Sequence, residues 1–220
     1  MKKNVINESE VFEINKDCLI SYEELGPTKI KLVTIDNFYK NPDLVRELAL
    51  TIPATENRRI RGNNPAHRIN AFYVLDNMSE IYDYCLRKYW PEIMNNVWQN
   101  AVHESFQRAT FCVNVMQTND LPACSPHMDN PSNEHFASTI YLNTDDECAG
   151  GTSFYLPKKS TITSTNEYIT DTTDEWEMVG IAEMKFNRMV LYNSSVYHTA
   201  YVKPEMFTGN LYRINQQFFI

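Results

Sequence analysis

What this sequence lacks narrows the field first. Its 20 Lys and Arg stand against 28 Asp and Glu, a formal charge of −8 with a pI near 5.2. No global basic field draws phosphate backbones to it, so general nucleic-acid binding is not expected. No apolar run approaches the ~20 residues that a bilayer-spanning helix needs. Met1 to Glu8 carries two lysines but no apolar core of a secretory signal. The five cysteines are odd in number and never form Cys-x-x-Cys, which points to free or buried thiols in a reducing compartment rather than a disulfide framework. A cytoplasmic protein without membrane association is therefore expected. Internal repeats and low-complexity tracts are absent as well, and the oligomeric state stays open.

What is present suits a folded domain rich in strands. Of 220 residues, 43% are hydrophobic, and 13 Tyr, 11 Phe and 3 Trp suit pleated surfaces and pocket walls. One domain over 1–220 is the simplest reading. Residues 1–104 read as a helix-rich half. Asn41-Pro42-Asp43 is a helix start, with a capping Asn, a proline at the first helical position and an acid in the first turn. Leu44, Val45, Leu48 and Thr51 then recur at helical spacing. Ser79-Glu80 opens a second helix to about Tyr89, with Ile81, Cys85 and Tyr89 along one stripe. Pro91-Glu92 opens a third. Lys31 to Asp36 is a short strand in this half, and Arg58 to Arg68 is the one basic cluster, read as a loop.

From 105 onward the pattern changes to short strands: Phe106 to Met116, Phe136 to Leu142, Gly150 to Leu156, Met184 to Tyr192, Val196 to Val202 and Tyr212 to Ile220. Their number and spacing predict an antiparallel sandwich or jelly roll. Residues 157–180 show no period and are expected as an excursion at the sheet edge, with a helical turn near Asp174-Glu175-Trp176.

The chemistry concentrates in Ser125-Pro126-His127-Met128-Asp129-Asn130. Residues two apart in extended backbone point to one face, so an imidazole nitrogen of His127 and a carboxylate oxygen of Asp129 can reach one small ion. A distant histidine, His198, precedes a strand-like segment with Arg213. Two histidines and one carboxylate with open positions are the ligand set of non-haem Fe(II) oxygenases. Arg213, flanked by Tyr212 and Ile214, would be costly to bury unpaired; its planar guanidinium can grip a carboxylate with two parallel hydrogen bonds.

These segments occur in a recognisable order: His127-Met128-Asp129-Asn130-Pro131, Ile140-Tyr141-Leu142-Asn143, Gly150-Gly151-Thr152, Phe186 to Tyr192, then His198 and Arg213. In that order they resemble the Fe(II)/2-oxoglutarate-dependent dioxygenases, most closely the prolyl-hydroxylase-like branch, over about residues 106–220. The resemblance implies a mainly β fold with helices (α+β), a double-stranded β-helix or jelly roll backed by the N-terminal helices. It implies metal ligation by His127, Asp129 and His198, and 2-oxoglutarate binding by Arg213 with Tyr141 as helper. Fe(II), 2-oxoglutarate as cosubstrate and O2 are the implied cofactors, and hydroxylation of a C–H bond in an amino acid, peptide or small metabolite the implied activity. Asp129 is an acid, which argues against the halogenases that vacate this position. The rival readings are a cupin-like Zn or Mn enzyme on the same ligands and a non-catalytic jelly-roll binding protein.

Overall fold

The computed structural model describes residues 8–51, 67–70, 78–94, 110–114, 125–132, 135–160, 169–203, 205–209 and 211–219. Among the described residues the order is α1 (Glu8–Val11), β1 (Leu19–Leu25), β2 (Ile30–Asp36), α2 (Pro42–Thr51), β3 (His67–Asn70), α3 (Met78–Tyr89), β4 (Thr110–Asn114), β5 (Phe136–Tyr141), β6 (Gly151–Pro157), β7 (Trp176–Glu183), β8 (Met189–Asn193), β9 (Tyr197–Tyr201) and β10 (Arg213–Phe219). Two sheets result, one of seven strands ordered β1-β2-β8-β5-β10-β4-β3 and one of three ordered β7-β6-β9. Every strand pairing in both is antiparallel.

The period-2 geometry of a strand sends alternate side chains to opposite faces, and the large sheet uses both. Val33 and Ile35 of β2, Phe136 and Ile140 of β5, Met189 and Leu191 of β8, and Ile214 and Phe218 of β10 share one buried cluster. That cluster also contains Val45, Leu48 and Ala49 of α2 and Tyr82, Cys85 and Leu86 of α3. The intervening residues, Leu32, Ala137, Tyr141, Val190 and Tyr192, join Phe154 and Ala182 of the small sheet in a second cluster. A central sheet covered on both faces reads as near-continuous hydrophobic runs rather than alternation, which is why β5 and β8 are buried throughout.

Local chemistry sets the junctions. Asn187 has a positive φ of 60°, a conformation asparagine tolerates better than most residues. Its side-chain amide clasps Tyr39, donating to the carbonyl and accepting from the N–H, both at 2.8 Å. Its own N–H donates to Tyr141 O at 2.9 Å, so one residue ties the chain before β8 to β5 and to the segment before α2. Gly150 and Gly151 open β6 with φ of 71° and 154°, and a Cβ at either would lie 2.0 and 2.1 Å from the carbonyls of Tyr201 and Ala182. Only glycine fits so close an approach.

Several expectations are corrected. In the first half, beside its helices, β1 and β2 complete one side of the large sheet and β3 pairs with β4 at its other edge. Alternation was hidden in β2 because both of its faces are buried. The inward stripes of the helices are also rotated, with Leu44 exposed while Ala49 faces the core, and Tyr82 and Leu86 deeper than Ile81 and Tyr89. Pro91 to Met94 forms a turn; the rest of the expected third helix lies outside the described residues. The 157–180 excursion ends earlier than expected, because Trp176 begins β7 rather than a helical turn, and its buried ring packs on Tyr155 and Tyr197. Most of the Arg58 to Arg68 cluster lies outside the described residues, although His67 and Arg68 belong to β3.

Candidate metal centre and anion pocket

His127 lies outside the named strands, yet its backbone forms an isolated antiparallel bridge with His198 of β9. Each N–H donates to the other's carbonyl at 3.0 Å. A directly opposed pair holds its side chains on the same face, and the two imidazoles stand 4.8 Å apart between ring centroids. Asp129, two residues on, turns its carboxylate toward both: Oδ2 is 3.2 Å from His198 Nε2 and Oδ1 is 3.7 Å from His127 Nε2. One ligand atom from each of the three lies within 4.8 Å of the others.

The other ring nitrogens decide what these atoms can do. His127 Nδ1 lies 3.1 Å from Ser125 O and His198 Nδ1 lies 2.9 Å from Val196 O. A backbone carbonyl only accepts, so both Nδ1 atoms carry the proton, and a neutral ring then presents a bare lone pair at Nε2. The same repeat, an imidazole on the carbonyl two residues back, orients both histidines. Two Nε2 lone pairs and a carboxylate converging on one point repel one another unless a cation lies among them, a proton or a metal ion. Carbonyl-anchored Nδ1–H is the usual second shell of a metal-bound histidine. The donor set of two imidazoles and one carboxylate suits Fe(II), and also Zn or Mn. The His198 side chain is 8% exposed and that of His127 47%, so the cluster is walled on one side and open on the other.

Arg213 begins β10 on the face turned to the small sheet and is 4% exposed. Its Nη1 donates to Asn215 Oδ1 at 2.9 Å and its Nη2 to Gly151 O at 3.3 Å, while Nε has no partner. Asn215 Nδ2, beside it, is unpartnered too. Among the described residues no carboxylate pairs with this guanidinium. A buried cation with neutral partners and two orphaned donors is expensive unless an anion completes it. The residues therefore fit a ligand carboxylate.

Tyr141, expected as helper to Arg213, is in this pocket beside it. Its hydroxyl shares a hydrogen bond with Thr152 Oγ1 at 2.7 Å and lies 3.4 Å from Ala182 O, while its ring lies under the guanidinium at 5.7 Å. Burial raises its phenol pKa. A second tyrosine, Tyr192 of β8, received no role from the sequence. Its ring is 4.7 Å from that of His198. Parity was the available signal, since Tyr192 shares a face with Val190 and Tyr141; without knowing which face holds the site, that signal is mute. His135 is exposed.

An antiparallel two-sheet protein with a His–Asp–His cluster and a buried arginine between its sheets is the class that fold and geometry define. The chain belongs to the Family of unknown function (DUF6445), whose model matches residues 16–166 and 159–210. No curated protein matches it. Among solved structures it is similar to a prolyl 4-hydroxylase from Phytophthora capsici, at 14% identity and a TM-score of 0.44, over 86% of this chain and 57% of that one. It is similar to a prolyl-4-hydroxylase from Pseudomonas putida at 12% identity and a TM-score of 0.44, over 86% and 91% of the two chains. A third is the non-heme alpha ketoglutarate dependent epimerase SnoN from nogalamycin biosynthesis, at 12% identity and a TM-score of 0.45, over 86% and 77%.

Proposed function

We propose that this protein is an Fe(II)- and 2-oxoglutarate-dependent dioxygenase that hydroxylates a C–H bond of an amino acid, peptide or small metabolite. The observation that carries the reading is the pair of carbonyl-anchored histidines whose Nε2 atoms meet the Asp129 carboxylate. On this reading the two sheets are the halves of a double-stranded β-helix in a single domain. His127, Asp129 and His198 hold Fe(II) and leave its remaining positions free for ligands. Arg213 grips the far carboxylate of 2-oxoglutarate, with Tyr141 as helper and Asn215 Nδ2 as a further donor. When bound, the metal with 2-oxoglutarate and O2 supplies the oxidising power for an unactivated C–H bond. The protein's part is orientation: the backbone bridge sets the imidazoles, and the apolar walls from Phe154, Val190 and Ala137 exclude water. A Zn or Mn enzyme of another class could use the same three ligands, but it gives no account of the unpaired Arg213.

Anaerobic titration of the purified protein with Fe(II) and then 2-oxoglutarate tests this. A weak visible metal-to-ligand charge-transfer band should develop, disappear in His198→Ala and need far more 2-oxoglutarate in Arg213→Ala. If Fe(II) does not bind, or binds with no response to 2-oxoglutarate, the oxygenase reading falls.

A further inference from the structure

Among the described residues, Tyr192 is a polar group between the sheets that the proposed function leaves unused. Its side chain is 3% exposed, and its ring sits edge-on to Phe154 at 5.1 Å and tilted against His198 at 4.7 Å. Tyr39, Tyr82, Tyr141 and Tyr155, the other fully buried tyrosines, all have a hydroxyl partner: Gln216, Ser138, Thr152 and Ile169 O respectively. Among the described residues the Tyr192 hydroxyl has none. The atom is not among the unpartnered side-chain atoms sealed from solvent, so a ligand entering between the sheets can meet it.

Its surroundings say what the missing partner is. Tyr192 shares with Tyr141 the buried cluster between the sheets, and its ring lies against that of His198. A phenol is protonated at neutral pH and can donate. The backbone places it toward the metal end. On the large sheet Tyr192 is opposite Ala137, whereas Tyr141 is opposite Asn215, four positions further along β5. On the small sheet its ring partners Phe154 and His198 are register partners of each other, whereas Arg213 reaches Gly151. The Arg213 end is already supplied with donors.

We infer that the Tyr192 hydroxyl donates a hydrogen bond to the chelating end of the bound 2-oxo acid, its 2-oxo or 1-carboxylate oxygen, and so orients that end against the metal. This rests on the oxygenase reading and adds a residue to it.

The test pairs Tyr192→Phe and Arg213→Lys with two acids, 2-oxoglutarate and pyruvate, which share the chelating end and differ in the far carboxylate. In anaerobic Fe(II) titrations, Tyr192→Phe should weaken both acids by about tenfold, as for a buried hydrogen bond to a charged group. It should also move the charge-transfer band to shorter wavelength, because the acceptor orbital on the oxo group loses a donor. Fe(II) affinity without the acid should be unchanged. Arg213→Lys should weaken 2-oxoglutarate alone and leave the band in place. Should the phenylalanine variant fail to fold, 3-fluorotyrosine placed at 192 serves instead, its fluorine resonance shifting when pyruvate is added to the Zn(II)-loaded protein. The inference is overturned if band and affinities are unchanged in the folded variant, if only 2-oxoglutarate is weakened, if Fe(II) affinity alone drops, or if the fluorine resonance does not move. Failure of the unaltered protein to bind Fe(II) or either acid overturns the oxygenase reading instead.

Discussion

Arg188 and Arg213 flank β5 from its two neighbours, one just before β8 and the other opening β10, and the chain meets their charges in opposite ways. Arg188 is matched from within. Asp36, at the end of β2, takes Nε at 2.6 Å and Nη2 at 2.9 Å in a two-point grip, and Lys185 adds a third contact at 2.9 Å. The Arg188 hydrogen bond is the largest cause that holds the Asp36 carboxyl below the ordinary value, against the opposing effect of burial. Arg213, more deeply buried, has an amide oxygen, a carbonyl and the face of a tyrosine, with Nε unpaired. A guanidinium satisfied by its own chain is a structural tie between strands. One given only neutral partners is, on the proposed reading, the partner of an anion from outside.

The strongest way to break this comparison is to delete both charges. Arg213→Met should lower 2-oxoglutarate affinity by about a hundredfold, since two charge-assisted hydrogen bonds contribute ~3 kcal/mol or more. It should leave the unliganded protein as stable as before, or more so, because an unpaired buried charge gives way to an apolar chain of similar length. Calorimetric titration and a thermal melt read the two effects. A melt that drops by many degrees would make Arg213 a structural tie like Arg188.

A smaller effect, and of the opposite kind, is expected at the matched site. Asp36→Asn should cost ~1–3 kcal/mol in urea unfolding, because it leaves Arg188 and Lys185 without their anion, and should not change Fe(II) affinity. The pH dependence follows from the direction of the Asp36 shift. The folded pKa lies below the unfolded one, so the unfolded chain takes up a proton first as pH falls. The contribution is fully present above the unfolded carboxylate value, about 3.9, and is lost as pH falls through that value to the folded pKa. The stability difference between the native protein and Asp36→Asn should be flat above about pH 5 and shrink below it. A difference that grew on acidification would exclude Asp36 as the source.

Lys185→Ala sharpens the comparison at its weak end. This side chain is half exposed, and solvent screens such a contact, so ~0.5 kcal/mol or less is expected. A loss as large as that of Asp36→Asn would mean that the cluster acts as one network rather than as an arginine clasp with a loose lysine beside it.

Much of the site was legible before the fold. Residues two apart in an extended segment, a second histidine near a strand and an arginine in an apolar run are local patterns, and His127, Asp129 and His198 do converge within one ion's reach. Strands β5, β6, β8, β9 and β10 were legible as apolar runs, as was α2 from its Asn-Pro-Asp start. The path of β7 was not, since its mixed polar residues lack alternation and its strand state comes from pairing with β6. The long-range placement of β2 beside β8 was equally hidden, because a strand buried on both faces has no period that names its neighbour.

By itself, then, the sequence determined the residue types able to bind a cation and an anion, the runs that become strands, and the glycines and asparagine that turn the chain between them. Only the tertiary structure decided which nitrogen of each histidine is free, because that depends on the carbonyls of Ser125 and Val196 lying against the rings. Only it decided that the Tyr141 hydroxyl meets Thr152 and that the ring of Tyr192 lies against His198. Hydrogen bonds within a folded interior are allotted by distances of a few tenths of an ångström between segments far apart in the chain, and no local pattern encodes those distances.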